Sequence, residues 1–235
     1  MRTSLLLALA VALLGQRQVS AQGTFQNLGF ESANVTPGSP GSYTWVVGIS
    51  EALPGWQATI GGQPTGQAFY NGRFLDSSGV GVVDTTNNMP LMGQGQTAIS
   101  GRYMAIIEAG AQGDTTLFQT GLVPMDAKSI IFYSYPMYPF FPHPGMSFSV
   151  GGTSISLHLI GQATNYFQWQ GDISAFAGQT AELKFTVYSS WPPEPYAAYL
   201  DDIRFSSEPI PEPSSVAILV FLLTAVGIFV RRLGR

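Results

Sequence analysis

Ser147–Leu159 reads SFSVGGTSISLHL. Apolar residues alternate on both sides of Gly151-Gly152, a pair able to take the positive φ that a tight turn needs, so the stretch predicts a β-hairpin. Working outward, the same period of two returns in Arg102–Glu108, Thr115–Val123, Ser129–Tyr135 and Tyr166–Trp169. It continues in Ala181–Tyr188, where Leu183, Phe185 and Val187 share a face, and in Tyr199–Phe205. Toward the N-terminus, Thr44–Ile49, Trp56–Ile60 and Gly79–Asp84 are further strand candidates. Nine to eleven short strands between Gly/Pro/Asn/Ser turns, with no convincing amphipathic helix, predict an all-β fold: an antiparallel β-sandwich of jelly-roll type. An immunoglobulin-like sandwich has fewer strands, and a β-solenoid needs a fixed repeat that is not found.

The termini are of different character. Residues 1–21 carry Arg2, an apolar stretch from Leu5 to Leu14 and small residues at Val19-Ser20-Ala21, the layout of a secretory signal peptide. At the other end, Val216–Val230 is uncharged, and eleven of its fifteen residues are Val, Ile, Leu or Phe. Inserting them at mid-membrane gains about 3–7 kcal/mol. As a helix the segment rises roughly 22 Å, short of the ~30 Å hydrocarbon core, and Ser214, Ser215 and the snorkelling arginines extend it. Arg231, Arg232 and Arg235 hold the C-terminus in the cytoplasm, leaving the intervening domain outside.

That domain, roughly residues 22–209, is large enough for one core. Its five basic and thirteen acidic residues repel phosphate backbones, which argues against nucleic acid. With no cysteine, disulfides, thiolate metal sites and a cysteine nucleophile are excluded.

Pro211-Glu212-Pro213, the short hydrophobic helix 216–230 and the basic end 231–235 together resemble the PEP-CTERM sorting signal of Gram-negative bacteria, a tail also labelled ice-binding protein C-terminal domain. The resemblance covers residues 208–235. It implies export by the secretion machinery, trimming by signal peptidase, a single-pass membrane intermediate, and recognition by an exosortase-type membrane enzyme that cuts near Pro211–Pro213. The product then reaches the cell surface or an extracellular, biofilm-type matrix. A plain tail-anchored membrane protein is the alternative.

Within 22–207, Asn27–Glu31 (NLGFE), Leu53–Trp56 (LPGW), Asp172–Val187 and Leu200–Ile203 (LDDI) resemble the galactose-binding-like jelly rolls of carbohydrate-binding modules. The resemblance implies a structural calcium between an acid of the first strand and one of the last, here Glu31 with Asp201 or Asp202. Calcium accepts such oxygen ligands. By strict alternation Asp201 shares a face with Tyr199, Ile203 and Phe205; pointing inward, it needs an ion or a cluster of backbone N–H groups. Otherwise it sits at the strand's exposed mouth or caps a turn.

Tyr133–Pro144, YSYPMYPFFPHP, has four prolines and is expected to be a surface loop, not a central strand. Its Tyr135, Tyr138, Phe140 and Phe141, with Trp191 in WPPEPY, are candidate platforms for sugar rings, or else side chains that fold back to cap the sandwich. Trp45, Trp56 and Trp169 are expected in the core, and His158 is expected in solvent. No HExxH, GxSxG or phosphate-cradling glycine motif is present, and the acids Glu108 and Asp114 have no separation readable from sequence, so the expectation is of no enzyme. The functional expectation is an exported surface or matrix protein that binds exopolysaccharide or another glycan. The alternative is a structural or adhesive protein that binds protein partners or itself.

Overall fold

The computed structural model describes residues 22–35, 45–71, 78–86, 98–136, 143–189 and 196–210. The expected signal peptide and residues 211–235 of the expected sorting tail lie outside them, as do Tyr138, Phe140, Phe141 and Trp191. Among the described residues no helix is long and apolar enough to cross a membrane.

Fourteen strands form two packed sheets. The strands are β1 (Trp45–Gly48), β2 (Gln57–Ile60), β3 (Gln63–Thr65), β4 (Gln67–Tyr70), β5 (Gly79–Asp84), β6 (Tyr103–Ala109) and β7 (Thr115–Leu122). Then follow β8 (Ser129–Pro136), β9 (Ser147–Val150), β10 (Thr153–Ser154), β11 (Leu157–Ala163), β12 (Tyr166–Asp172), β13 (Thr180–Val187) and β14 (Tyr196–Ser206). The large sheet runs β1-β4-β5-β6-β14-β8-β12-β11 and the small one β10-β9-β13-β7-β2-β3. All pairings are antiparallel except β4 with β5. The fold is the expected all-β sandwich of jelly-roll type.

Gly151 and Gly152 take φ of 56° and 80°, the conformation a two-residue hairpin turn requires. The hairpin itself is only two pairs long, Thr153 with Val150 and Ser154 with Ser149. After Ile155 the chain leaves the small sheet and pairs as β11 with β12 of the large one. One alternating stretch thus serves both layers. β3 and β4 escape the sequence reading because Gly62, Pro64 and Gly66 interrupt it. Pro64 is tolerated because β3 is an edge strand.

The core lies between the sheets. Leu183, Phe185 and Val187 of β13 are fully buried there, with Phe30, Phe132, Phe148 and Phe205 around them. Phe185 meets Phe132 edge-on at 5.2 Å and Phe148 at 4.8 Å between ring centres. Trp56 and Trp169 are buried as expected, and Trp169 donates to Ser134 Oγ. His158 is exposed.

Candidate functional site

The last strand does not alternate strictly. Against β8, Asp201 pairs with Tyr133 and Arg204 with Ile131, so Asp202 and Ile203 together oppose Phe132. This is a β-bulge, and Asp202 takes a φ of 48° to make it. The extra residue reverses the parity. Ile203 and Phe205 enter the core, while Tyr199 belongs to a separate buried cluster on the outer face with Val83, Met104, Ile106 and Ala197. Asp201 follows Tyr199 onto that outer face, and the expectation that it shares the face of Ile203 and Phe205 is corrected. It is nonetheless fully buried, so the exposed-mouth alternative also falls.

Its carboxylate accepts N–H groups of the backbone, from Ser100 at 2.9 Å and from Asp202 at 2.7 Å. Burial pushes the Asp201 carboxyl up to about 7; the two amide hydrogen bonds oppose this, and the nearby charges of Asp202 and Glu31 add to it. Glu31 lies in a turn before β1, not in a strand: Asn27 and Phe30 there have φ of 51° and 59°. It accepts from Arg102 N at 2.9 Å and Tyr103 N at 2.9 Å. Gly101, between the residues that the two acids grip, has a φ of 63°, and a side chain there would run into the Glu31 carboxylate. Asp202 points elsewhere, 3.3 Å from Arg204. No group of three or more metal-ligating side chains comes together among the described residues.

A second polar cluster closes the end of β4 and β5, and the sequence reading misses it. Asp84 accepts two hydrogen bonds from the Arg102 guanidinium, at 3.0 and 2.7 Å, one from Tyr70 Oη at 2.6 Å, and two from Thr86. Burial works to raise its carboxyl, but the Arg102, Tyr70 and Thr86 hydrogen bonds outweigh that and hold it well below the usual carboxylate range. Asn71, at a φ of 50°, accepts the Asp84 amide. Its buried Nδ2 has no partner. A signal was available: Asp84 ends an apolar run, and Arg102 is one of five cations in the domain.

The outer face of the large sheet also carries tyrosines. Tyr133 and Tyr135 of β8 extend into YSYPMYPFFPHP, so the first four residues of that stretch belong to a central strand and not to a loop. The correction has a simple cause: its first proline, Pro136, falls on the strand's last position. Tyr133 meets Tyr166 edge-on at 4.8 Å. Arg204 lies over the Tyr133 ring and donates to its hydroxyl at 2.8 Å. Tyr135 stacks on Phe167 at 6.2 Å. All three tyrosines are half-buried. Glu108 is buried on β6, while Asp114 accepts both the amide and the hydroxyl of Ser189 at 2.9 Å.

No protein-family model matches the chain, and no curated protein matches it. Among solved structures it resembles a Stig cyclase from Fischerella sp. TAU, in complex with an indole derivative, at 18% identity and a TM-score of 0.50. That likeness covers 82% of this chain and 99% of the cyclase. A Fischerella cyclase in complex with 4-(1H-indol-3-yl)butan-2-one matches at 17% identity and a TM-score of 0.50, over 82% and 100% of the two chains. The carbohydrate-binding module TmCBM61, in complex with β-1,4-galactotriose, matches at 14% identity over 80% and 100% of the chains, with a TM-score of 0.39. At these identities the likeness to the two cyclases establishes a shared fold and nothing beyond it. The expectation of no enzyme is corrected, because the structures sharing this fold at a TM-score of 0.50 are enzymes. The lack of HExxH or GxSxG excludes little, because one fold can host unrelated chemistries.

Proposed function

We propose that the protein is an exported surface or matrix protein that binds a glycan on the outer face of its large sheet. One observation supports this most: Tyr133, Tyr135 and Tyr166 lie half-buried on that face, braced by Arg204 and Phe167. Braced aromatic rings lose little entropy on meeting a sugar, and each keeps a hydroxyl for hydrogen bonding. Tyr138, Phe140 and Phe141, further along the same stretch, and Trp191 belong to the same proposal. A glycan array probed with the full chain in a non-glycosidic detergent tests it. Binding that Tyr133→Ala or Tyr135→Ala weakens at least tenfold is the expected result. A blank array together with self-association points to the adhesive alternative.

Delivery by the PEP-CTERM-type tail is part of the reading, carried by Pro211–Pro213, the apolar segment and the terminal arginines. Mass spectrometry of protein recovered from envelope and medium is expected to find both ends trimmed. A C-terminus still at Arg235 overturns sorting by cleavage. A structural calcium belongs to Glu31 and Asp201, and Asp202 is turned away. The supporting observation is that these two carboxylates accept from one stretch of backbone and that the Glu31 charge is among the causes that raise the Asp201 carboxyl. A melting temperature indifferent to chelator counts against the ion.

A further inference from the structure

The chain crosses between the sheets twice at one corner of the sandwich. Gly66 joins β3 to β4, and residues 110–114 join β6 to β7. Both crossings are tied down. Gly66 accepts the Ile49 amide at 3.0 Å, and Gly61 donates to Asp114 O at 2.8 Å. Ser78 Oγ donates to Gly113 O at 2.7 Å and accepts from Gly110 N at 2.9 Å, which fixes the second crossing to the start of β5.

Between the crossings is an open crevice of about 200 Å3, lined among others by Val46, Thr65, Gln67, Phe69, Gly79 and Gln112. Its wall includes an aromatic ring held in place: the edge of the Phe69 ring abuts Gly79, where even a methyl group would collide with it. Val46 stands beside it, 46% exposed and unusually open for a valine. Gln67 and Gln112 are exposed and bring amides that both donate and accept. Among the described residues no charged side chain lines the crevice.

These properties select a ligand. The described lining offers phosphate and carboxylate groups no cation to pair with. A purely apolar guest leaves the amides without partners. The volume is below the ~300 Å3 at which pockets for drug-sized molecules begin, so one ring fits and a chain of rings does not. We propose that this corner crevice binds a single neutral pyranose unit. The C–H face of the sugar lies against Phe69 and Val46, and its hydroxyls meet the amides of Gln67 and Gln112. The proposal rests on the glycan reading above for its ligand class, and adds to it a subsite away from the tyrosines.

The test uses the full chain in dodecylphosphocholine, with methyl β-galactopyranoside, methyl β-glucopyranoside and glucuronic acid as probes. Binding is followed by saturation-transfer and side-chain amide NMR. At least one neutral glycoside is expected to bind and to shift the Gln67 and Gln112 amide signals, with glucuronic acid clearly weaker. The Gln67→Ala/Gln112→Ala double variant changes only exposed side chains and is expected to lose about tenfold in affinity. Gly79→Ala, which displaces Phe69, is expected to lose as much. Unchanged binding in the double glutamine variant overturns the crevice, as does equal binding of glucuronic acid or no glycoside binding at all. If the crevice fails while array binding still depends on Tyr133, the tyrosine face stands alone. If glycosides bind through the glutamines and the array is insensitive to Tyr133, the crevice survives and the face falls.

Discussion

Asp84 and Asp201 are both buried aspartates of the large sheet, on neighbouring stretches of structure, and they are treated in opposite ways. Arg102 lies between the two regions. Its guanidinium goes to Asp84, and its amide goes to Glu31, the neighbour of Asp201. Asp84 thereby gains a counter-charge as well as Tyr70 and Thr86, and its charged form is favoured. Asp201 has backbone amides from Ser100 and Asp202 but faces two further carboxylates, and its neutral form gains. Burial raises both carboxyls; at Asp84 the hydrogen bonds from Arg102, Tyr70 and Thr86 outweigh it, and at Asp201 the two backbone amides do not.

The largest effect should come from breaking the compensated acid. Asp84→Ala removes five hydrogen bonds, given by Arg102, Tyr70 and Thr86, at a cost on the order of 3 kcal/mol. At pH 5, where the folded site holds Asp201 protonated, Asp201→Asn should cost less, since no charge is removed, although the Asn Nδ2 cannot accept the amide that one carboxylate oxygen accepts. Urea denaturation midpoints compare the two directly. Equal losses would erase the distinction between the regions.

A pH titration sharpens it. The folded state holds the Asp201 proton up to about pH 7, whereas the unfolded chain releases it near 3.8. Between those values unfolding releases a proton, so this group's contribution to stability falls as pH rises, by at most ~1.4 kcal/mol per pH unit, and levels off above 7. Asp84 acts in the opposite sense. Its folded carboxyl is depressed, so its contribution is present above its ordinary range and fades only in acid. Measured in chelator, the slope between pH 4 and 7 should flatten in Asp201→Asn and persist in Asp84→Asn. The reverse pattern would mean that the two acids have been assigned the wrong way round.

Much of this fold is legible in the sequence, because alternation and turn residues act locally. Leu183, Phe185 and Val187 announce their face, and Gly151-Gly152 announces its turn. The losses come where a local rule is broken by a distant partner. The bulge at Asp202 is invisible in YLDDIRF, since nothing in those seven letters says that Phe132 will face two residues. β3 and β4 are hidden by Pro64 and Gly66, which an edge strand and a crossing between sheets can accommodate. The Asp84 cluster joins residues 70, 71, 84, 86 and 102 only after β4, β5 and β6 are laid side by side. Glu31 and Asp201 are singled out by the resemblance to galactose-binding-like domains, while the tie that holds them, the amides of Ser100 to Tyr103, carries no side-chain signature. The crevice at Phe69 is equally silent, since it exists through the absence of a side chain at Gly79.

The smallest expected effect probes the bulge itself. Asp202 pays for a left-handed backbone at a φ of 48° that glycine adopts freely, while its carboxylate, 3.3 Å from Arg204 and half-exposed, contributes little as an ion pair. Asp202→Gly should therefore change stability by less than about 1 kcal/mol, because relief of the backbone offsets loss of the pair. Its informative consequence is elsewhere. Removing this negative charge takes away one of the causes that raise the Asp201 carboxyl, so the pH at which stability levels off should move down from about 7. An unmoved midpoint would mean that the Asp202 charge has no hold on Asp201, leaving burial and Glu31 as what raises it.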